Sequence, residues 1–518
     1  MTLKTKQFVT LVVLTAGFAA FIIAAPFHSL RAQAQTNADD LFRGRLGSGN
    51  VRKLAVFFFL AMSPCFAGVV ASVAAHADRF GAVSRKIWEN PELGYHEMKS
   101  SAMLQQELRA NGFAVEPGVA GMPTAFTATW GRGKPVIVVL GEFDALPGLS
   151  QKDIPTQEPV QAGAPGHACG HNLLGSAAAL AVVAVKEEMQ ARGLKGTLRY
   201  YGTPAEEGGG GKIYMIHAGL FKDVDAVLTW HPADANRVNL GSTLAINAGR
   251  FKFYGVASHA AAAPERGRSA LDGAMIMLNA VEFLREHVPQ ETRIHYVITN
   301  GGAAANVVPA YAEVSLMARS PSPAVLDNVW ERIMKCAQAG ALASETRMEF
   351  EQGTNYANIL TNDLLQGVLS RALQDSGGYT YTPTERAFAE TLQKSLEGPH
   401  KPLDPDRVQT DKSEAVVTAS TDVGDVSWVV PTGNFEAATF VPGVGLHTWQ
   451  AAACAGSSIG RKGMVVAART LALAAVELFE KPAELEAAKA AFDKRRAERT
   501  WTTHIAAGSK PTLDYATK

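Results

Sequence analysis

Six residues of this chain have types and spacings that can do chemistry. Cys169 and His171 are separated by one residue in a Gly-flanked turn, so a thiol and an imidazole can face one small volume. Both are good ligands for zinc and related divalent ions. Alone, the pair also reads as a buried thiol beside a core histidine. Glu206 and Glu207 are adjacent and are followed by four glycines. Neighbouring carboxylates on a turn point different ways, so one can bind a metal while the other faces a metal-bound water. The glycines give a backbone shaped for close approach, where the alternative is a solvated loop. His231 follows a strand-like run and precedes Pro232, a position that also suits a capping or packing histidine. His447 lies in the Gly-rich segment from Pro442 to Trp449. Together they offer one thiolate, one carboxylate and three imidazoles on loops, a set that suits two divalent ions sharing a bridging ligand and a water.

These residues must be positioned by something rigid. Pro135 to Leu140 is a short β-branched run of buried-strand type that leads into Gly141-Glu-Phe-Asp-Ala-Leu-Pro147. The expected strands at 197–201 and 226–229 run into the Glu206 and His231 segments in the same way. An open α/β sheet places its ligands at the carboxyl ends of its strands. Residues 79–111 read as helical with a break at Asn90-Pro91, and Asn172 to Met189 as an Ala-rich helix. From 250 to about 341 the pattern changes to three strands and two helices, expected as an inserted α+β unit with its own antiparallel sheet. A charged, loop-rich insertion is expected at 385–415, a long helix at 463–480, and a charged helix with a polar tail after it.

Several of these segments occur in a family order. Glu142-Phe-Asp144-Ala-Leu-Pro, His167-Ala-Cys-Gly-His171, Pro204-Ala-Glu-Glu-Gly-Gly, Ser258-His-Ala-Ala with Pro264, and Asn306-Val-Val-Pro with Arg319 resemble the aminoacylase/carboxypeptidase family of di-metal hydrolases. The match is similar to its Cys-containing amidohydrolase branch and covers roughly residues 80–480. The resemblance implies an α/β, phosphorylase/hydrolase-like di-metal exopeptidase catalytic domain with an inserted ferredoxin-like dimerisation or lid domain. The expected divisions are an export region at 1–77, catalytic segments at 78–247 and 354–482, the insertion at 248–353, and a charged tail at 483–518. Closure of the insertion over the substrate is implied too, with hinges near Ala248 and Gly353.

Carried over residue by residue, the resemblance makes Cys169 the bridge between two divalent ions, with His171, Glu207, His231 and His447 completing their shells. Zinc or manganese is expected, and cobalt is admissible. Glu206 becomes the general base toward the water shared by the ions, and Asp144 a carboxylate that orients a ligand from behind. Glu142 stands where other branches carry a metal-binding His, which leaves its own role open. His259 would reach the partner subunit's site to stabilise an oxyanion, so a homodimer is expected. Asn306 and Arg319 would hold the substrate's free carboxylate, for which a planar guanidinium is well shaped. A strand-end surface charge is the other reading of Arg319. The activity implied is hydrolysis of an N-acyl amino acid, most directly an aromatic one such as p-aminobenzoyl-glutamate. An exported amidohydrolase or dipeptidase of other acyl specificity is the alternative, followed by a noncatalytic binding protein on the same fold.

Composition limits the rest. The 518 residues are 47% hydrophobic and 19% charged, which is globular and long enough for more than one domain. Forty-nine basic residues balance forty-nine acidic ones, so no net field favours a nucleic acid partner. Four cysteines do not make a disulfide framework. Two export-like segments stand in tandem: Lys4 and Lys6 before an apolar run to Ala25, and Arg52-Lys53 before a run ending at Ala75-His-Ala77. A start at Val51 would leave one signal, 51–77. A periplasmic or secreted enzyme beginning near Asp78 is expected, with no stable membrane association once the signal is gone. A pair of membrane-anchoring helices is the alternative.

Overall fold

The computed structural model describes residues 67–516 apart from 240, 411–413 and 498. The first export-like segment and most of the second therefore lie outside the described residues. In chain order the elements are α1 (Ala67–Glu89), α2 (Met98–Ala110), β1 (Ala114–Pro117), β2 (Phe126–Arg132), β3 (Val136–Gly141), α3 (His171–Arg192), β4 (Gly196–Gly202), α4 (Gly211–His217), β5 (Ala226–Ala233) and β6 (Asn236–Arg237). Then come β7 (Ala245–Tyr254), α5 (Ala270–Arg285), β8 (Arg293–Asn300), β9 (Tyr311–Ser320), α6 (Pro323–Ala343) and β10 (Arg347–Tyr356). The chain continues with α7 (Asp363–Ser376), α8 (Pro383–Gln393), β11 (Val408–Gln409), α9 (Val423–Ser427), β12 (Thr432–Ala438), α10 (Trp449–Gly456), α11 (Ser458–Glu480) and α12 (Pro482–Arg496).

An eight-stranded mixed sheet has the order β1-β2-β4-β3-β5-β12-β6-β11. Its centre, β4-β3-β5-β12, is parallel, and β3 is buried at every position. That is why Val136-Ile-Val-Val-Leu140 has no polar alternation: both faces are covered. The Ala-rich α3 packs against α1 and α11 and is buried along most of its length, so it needs no polar stripe. Parallel strands end at one edge of a sheet, and β3, β4 and β5 deliver their following loops there.

The second sheet, β10-β7-β9-β8, is antiparallel throughout. The order β7-α5-β8-β9-α6-β10 along the chain gives the βαββαβ path of a ferredoxin-like unit, in agreement with the expectation. Burial in β9 alternates residue by residue, and α5 and α6 cover the buried face. Phe251, Phe253, Met277, Leu316, Trp330 and Ile333 form its own core. The sheet extends from Ala245 to Tyr356, a few residues beyond the expected insertion at either end.

Other segments are more structured than their sequence suggests. The loop-rich segment from 385 contains α8, started by a capping box of Thr382 and Glu385. The C-terminal part is not a free tail: Leu485, Ala488 and Phe492 of α12 are buried, and the Trp501 indole donates to Asp425 Oδ1 at 2.9 Å. The expected cleavage point after Ala77 falls inside α1. Val69 and Val73 before it are buried, and His76 pairs with Glu187 at 3.0 Å, so a chain beginning at Asp78 gives up those contacts. Among the described residues no helix is long and apolar enough to cross a membrane.

Candidate metal centre

Each cluster residue is set by the edge of the central sheet. Asp144 follows β3, Cys169 precedes α3, and the Glu206-Glu207 turn lies between β4 and α4. Two placements differ from the expectation of five ligands on loops. His171 is the first residue of α3, and His231 lies within β5, because the strand continues through Pro232 to Ala233 while it pairs with β12. His447 reaches the site from far along the chain with φ at 59°, its amide donating to Ala168 O at 3.0 Å. That bond ties the loop of His447 directly to the turn of Cys169.

Hydrogen bonds fix the imidazoles. His171 Nδ1 lies 2.9 Å from Asp144 Oδ1, and since a carboxylate accepts, Nδ1 donates and the ring is oriented with Nε2 toward the cluster. His231 Nδ1 is 2.8 Å from the Pro232 carbonyl, with the same result for its Nε2. The other Asp144 oxygen accepts from the Glu207 amide at 2.9 Å, so one carboxylate orients two of the proposed ligands. His231 Nε2 is 3.5 Å from Cys169 Sγ, and His447 Nε2 is 3.2 Å from Glu207 Oε1.

Donor atoms of Cys169, His171 and His231 lie within 4.8 Å of one another, as do those of Cys169, Glu207 and His447. The two triads share Cys169. A third triad of the same compactness joins Glu142, His171 and Glu206. Among the described residues, His171 Nε2 and Glu142 Oε2 are buried without a hydrogen-bond partner. Most buried polar atoms of folded proteins are hydrogen-bonded, so orphans that converge among metal-binding side chains fit a cation site. Charge agrees. Burial, and then the Glu207 carboxylate, push the Cys169 thiol up; burial and the neighbouring Glu142, Glu207 and Asp422 hold the Glu206 carboxyl well above the usual range. Although burial opposes it, bonding to His447 and the nearby His171 hold Glu207 down to about 2. The donor set fits divalent ions, and thiolate with imidazole favours zinc-like ones.

Sequence reasoning missed the support beneath this cluster. Glu97, fully buried, accepts from the Ala205 amide at 2.9 Å and from Thr124 Oγ1 at 2.8 Å, which steadies the turn before Glu206. Ala205 has φ at 58°, and a Cβ on Gly209 would meet its Cβ at 2.6 Å, so the glycine run is needed for a crowded turn. The Tyr356 hydroxyl donates to the Glu206 carbonyl at 2.8 Å. Lys212 and Asp422 form a buried ion pair behind Glu142. The signal for Lys212 was its place directly after the four glycines, but a lysine there reads equally as solvated. The other three expected residues are elsewhere. His259 and Asn306 sit on adjoining exposed loops of the ferredoxin-like unit, where the Ala260 amide donates to Asn306 O at 3.0 Å. Arg319 is half-buried on β9. Among the described residues no hydrogen bond or ion pair joins these three to the metal cluster.

Residues 138–471 match the model of peptidase family M20/M25/M40. The chain belongs to this family. It is thus a metal-dependent amidohydrolase, in agreement with the resemblance its motifs carry, and it binds divalent metal. The chain is 39% identical to a p-aminobenzoyl-glutamate hydrolase polypeptide of Escherichia coli (strain K12), over 79% of this chain and 90% of that one. It is 33% identical to the Xaa-Arg dipeptidase of Mus musculus, over 80% of this chain and 89% of the other. In fold it is similar to a dinuclear metal-binding peptidase of the M20 family from Bacillus subtilis, with a TM-score of 0.54 at 18% identity, covering 79% of this chain and 99% of that one.

Proposed function

We propose that the enzyme hydrolyses the amide bond of an aromatic N-acyl amino acid such as p-aminobenzoyl-glutamate, using two divalent ions bound by Cys169, His171, Glu207, His231 and His447. The observation that carries the chemistry is the pair of donor triads sharing Cys169, with the Glu206 carboxyl in the same volume. The similarity to the Escherichia coli hydrolase supports the acyl group. Bound divalent ions supply a water of lowered pKa and polarise the amide carbonyl. Glu206 takes the proton of the attacking water and passes it to the nitrogen of the departing amine. Asp144 keeps His171 and the Glu207 backbone in register for that exchange. Zinc, manganese and cobalt all suit the donor set.

Arg319 and Asn306 hold the free carboxylate of the substrate. The Arg319 side chain has Met317 Sδ at 3.6 Å as a neighbour and, among the described residues, no carboxylate partner. A half-buried guanidinium so placed is ready for an anion. His259 serves the site of a second copy, and the enzyme works as a homodimer. Supporting this, β8 is an edge strand that exposes Tyr296, Val297 and Ile298, and α5 exposes Met275, Ile276 and Phe283. An exposed apolar edge is a template for pairing, and two copies would meet isologously. The N-terminal segments support action in the periplasm or outside the cell, which fractionation and sequencing of the mature N-terminus would test.

The deciding experiment is a panel of p-aminobenzoyl-glutamate, other N-acyl amino acids and Xaa-Arg dipeptides, with metal content measured on the same sample. The highest kcat/KM is expected for the aryl-glutamate. A dipeptide preference would replace this reading with the second one, which the mouse relative favours.

A further inference from the structure

We propose that Glu142 is a further ligand of the ion bound at His171, and that Lys212 and Asp422 are positioning residues that aim it. The inference rests on the two-ion reading above and adds to it a donor that the five-residue set leaves out.

Glu142 follows β3 and is 2% exposed. Its two oxygens have different fates. Oε1 is 2.8 Å from Lys212 Nζ, while Oε2 points at His171 Nε2, 3.3 Å away. Both Oε2 and Nε2 are buried and lack a hydrogen-bond partner. Donor atoms of Glu142, His171 and Glu206 lie within 4.8 Å of one another, a compact set around one small volume. Ligands about 2.0–2.1 Å from a tetrahedral zinc stand about 3.3–3.4 Å apart, and Oε2 and Nε2 are at that spacing.

Lys212 explains why Glu142 can be aimed at all. The side chain is fully buried in the first turn of α4, with Nζ also 2.6 Å from Asp422 Oδ1. Its own amide donates to Asp422 Oδ2 at 3.0 Å, so Asp422 grips both ends of the residue. A buried ammonium persists only where it is paired and hydrogen-bonded, and these two carboxylates meet that need. By occupying Oε1, Lys212 leaves Glu142 one free oxygen and one direction. Two carboxylates against one ammonium also leave one negative charge, which favours a cation on the Oε2 side.

The test uses the full chain, stripped with chelator and reloaded with cobalt. Wild type is expected to take up two cobalt ions per chain, with a thiolate-to-cobalt charge-transfer band. Glu142→Gln keeps the shape and removes the charge. It should retain one ion at unchanged affinity, bind the other at least about 10–100-fold more weakly, and shift the d–d bands. Lys212→Met should weaken the same ion by about tenfold or more while leaving its ligand atoms in place. Anomalous diffraction from wild-type crystals soaked in cobalt does not depend on any variant folding. It should place an ion about 2.0–2.2 Å from Glu142 Oε2. Equal affinities and d–d bands in wild type and Glu142→Gln, or a cobalt ion beyond bonding distance of Oε2, would overturn the inference and leave the two-ion reading standing. Failure of wild type to bind cobalt would remove that reading itself.

Discussion

The edge of the central sheet and the ferredoxin-like unit both carry residues expected to act on substrate, yet they hold them in opposite ways. At the sheet edge, Cys169, His171, Glu206, Glu207, His231 and Asp144 are packed into one volume, and each has a named partner or a converging orphan atom. In the ferredoxin-like unit, His259 and Asn306 lie on exposed loops and Arg319 stands half-buried without a carboxylate partner among the described residues. The first region is completed by the topology of one chain. The second offers groups that make sense only against something that arrives, a second copy or a substrate carboxylate. In the proposed function, catalytic chemistry and substrate capture are divided between these two regions.

That division can be broken or sharpened by experiment. The largest effect should come from removing the ions. Chelation is expected to abolish amide cleavage, with zinc, manganese or cobalt restoring it, and activity that survives complete metal removal would break the comparison at the sheet edge. Next, Glu206→Gln should lower kcat by about 10²–10⁴-fold while metal content, measured on the same sample, stays at the wild-type value. Unchanged cleavage would show that the proposed base is wrong.

The ferredoxin-like unit is probed by His259→Ala, expected to cost about 10²–10³-fold in kcat as loss of an oxyanion donor does. Its sharper test is mixing. If His259 acts across a dimer, inactive Glu206→Gln and His259→Ala chains should regain activity after subunit exchange, because one site of the mixed dimer holds both native residues. Absence of recovery with exchange proved by mass spectrometry would place His259 in its own chain's site. The smallest effect is expected where the two regions are tied together. Arg499 pairs with Asp327 of α6 at 2.9 Å, and two residues on Trp501 bonds Asp425. Trp501→Phe should lower stability by about 1–3 kcal/mol in urea unfolding, since the buried Asp425 oxygen loses its donor. It should leave the metal content unchanged.

Much of this was legible in the chain because the signals were local. The run Val136 to Leu140 reads as a buried strand, and three of the four strands and both helices of the βαββαβ unit were read from the chain, while β10 was not. β12 was not legible. Thr432-Gly-Asn-Phe-Glu-Ala-Ala438 looks like a turn-prone segment and becomes a central strand only because β5 and β6 flank it. For the same reason His231 was assigned to a loop: pairing with β12 is what extends β5 past it. The C-terminal segment reads as a polar tail because its contacts are with distant residues.

The types and order of the candidate ligands were set by the sequence alone, since they occur in the order of the family motifs that the chain resembles. Which of them lie within one small volume, which nitrogen of His171 faces Asp144, and what stands behind Glu142 were decided only by the tertiary structure. Those properties depend on distances of a few ångströms between segments far apart in the chain, such as the 2.6 Å from Lys212 to Asp422. Burial then gives such short contacts their force, because the charges they join have no water to turn to.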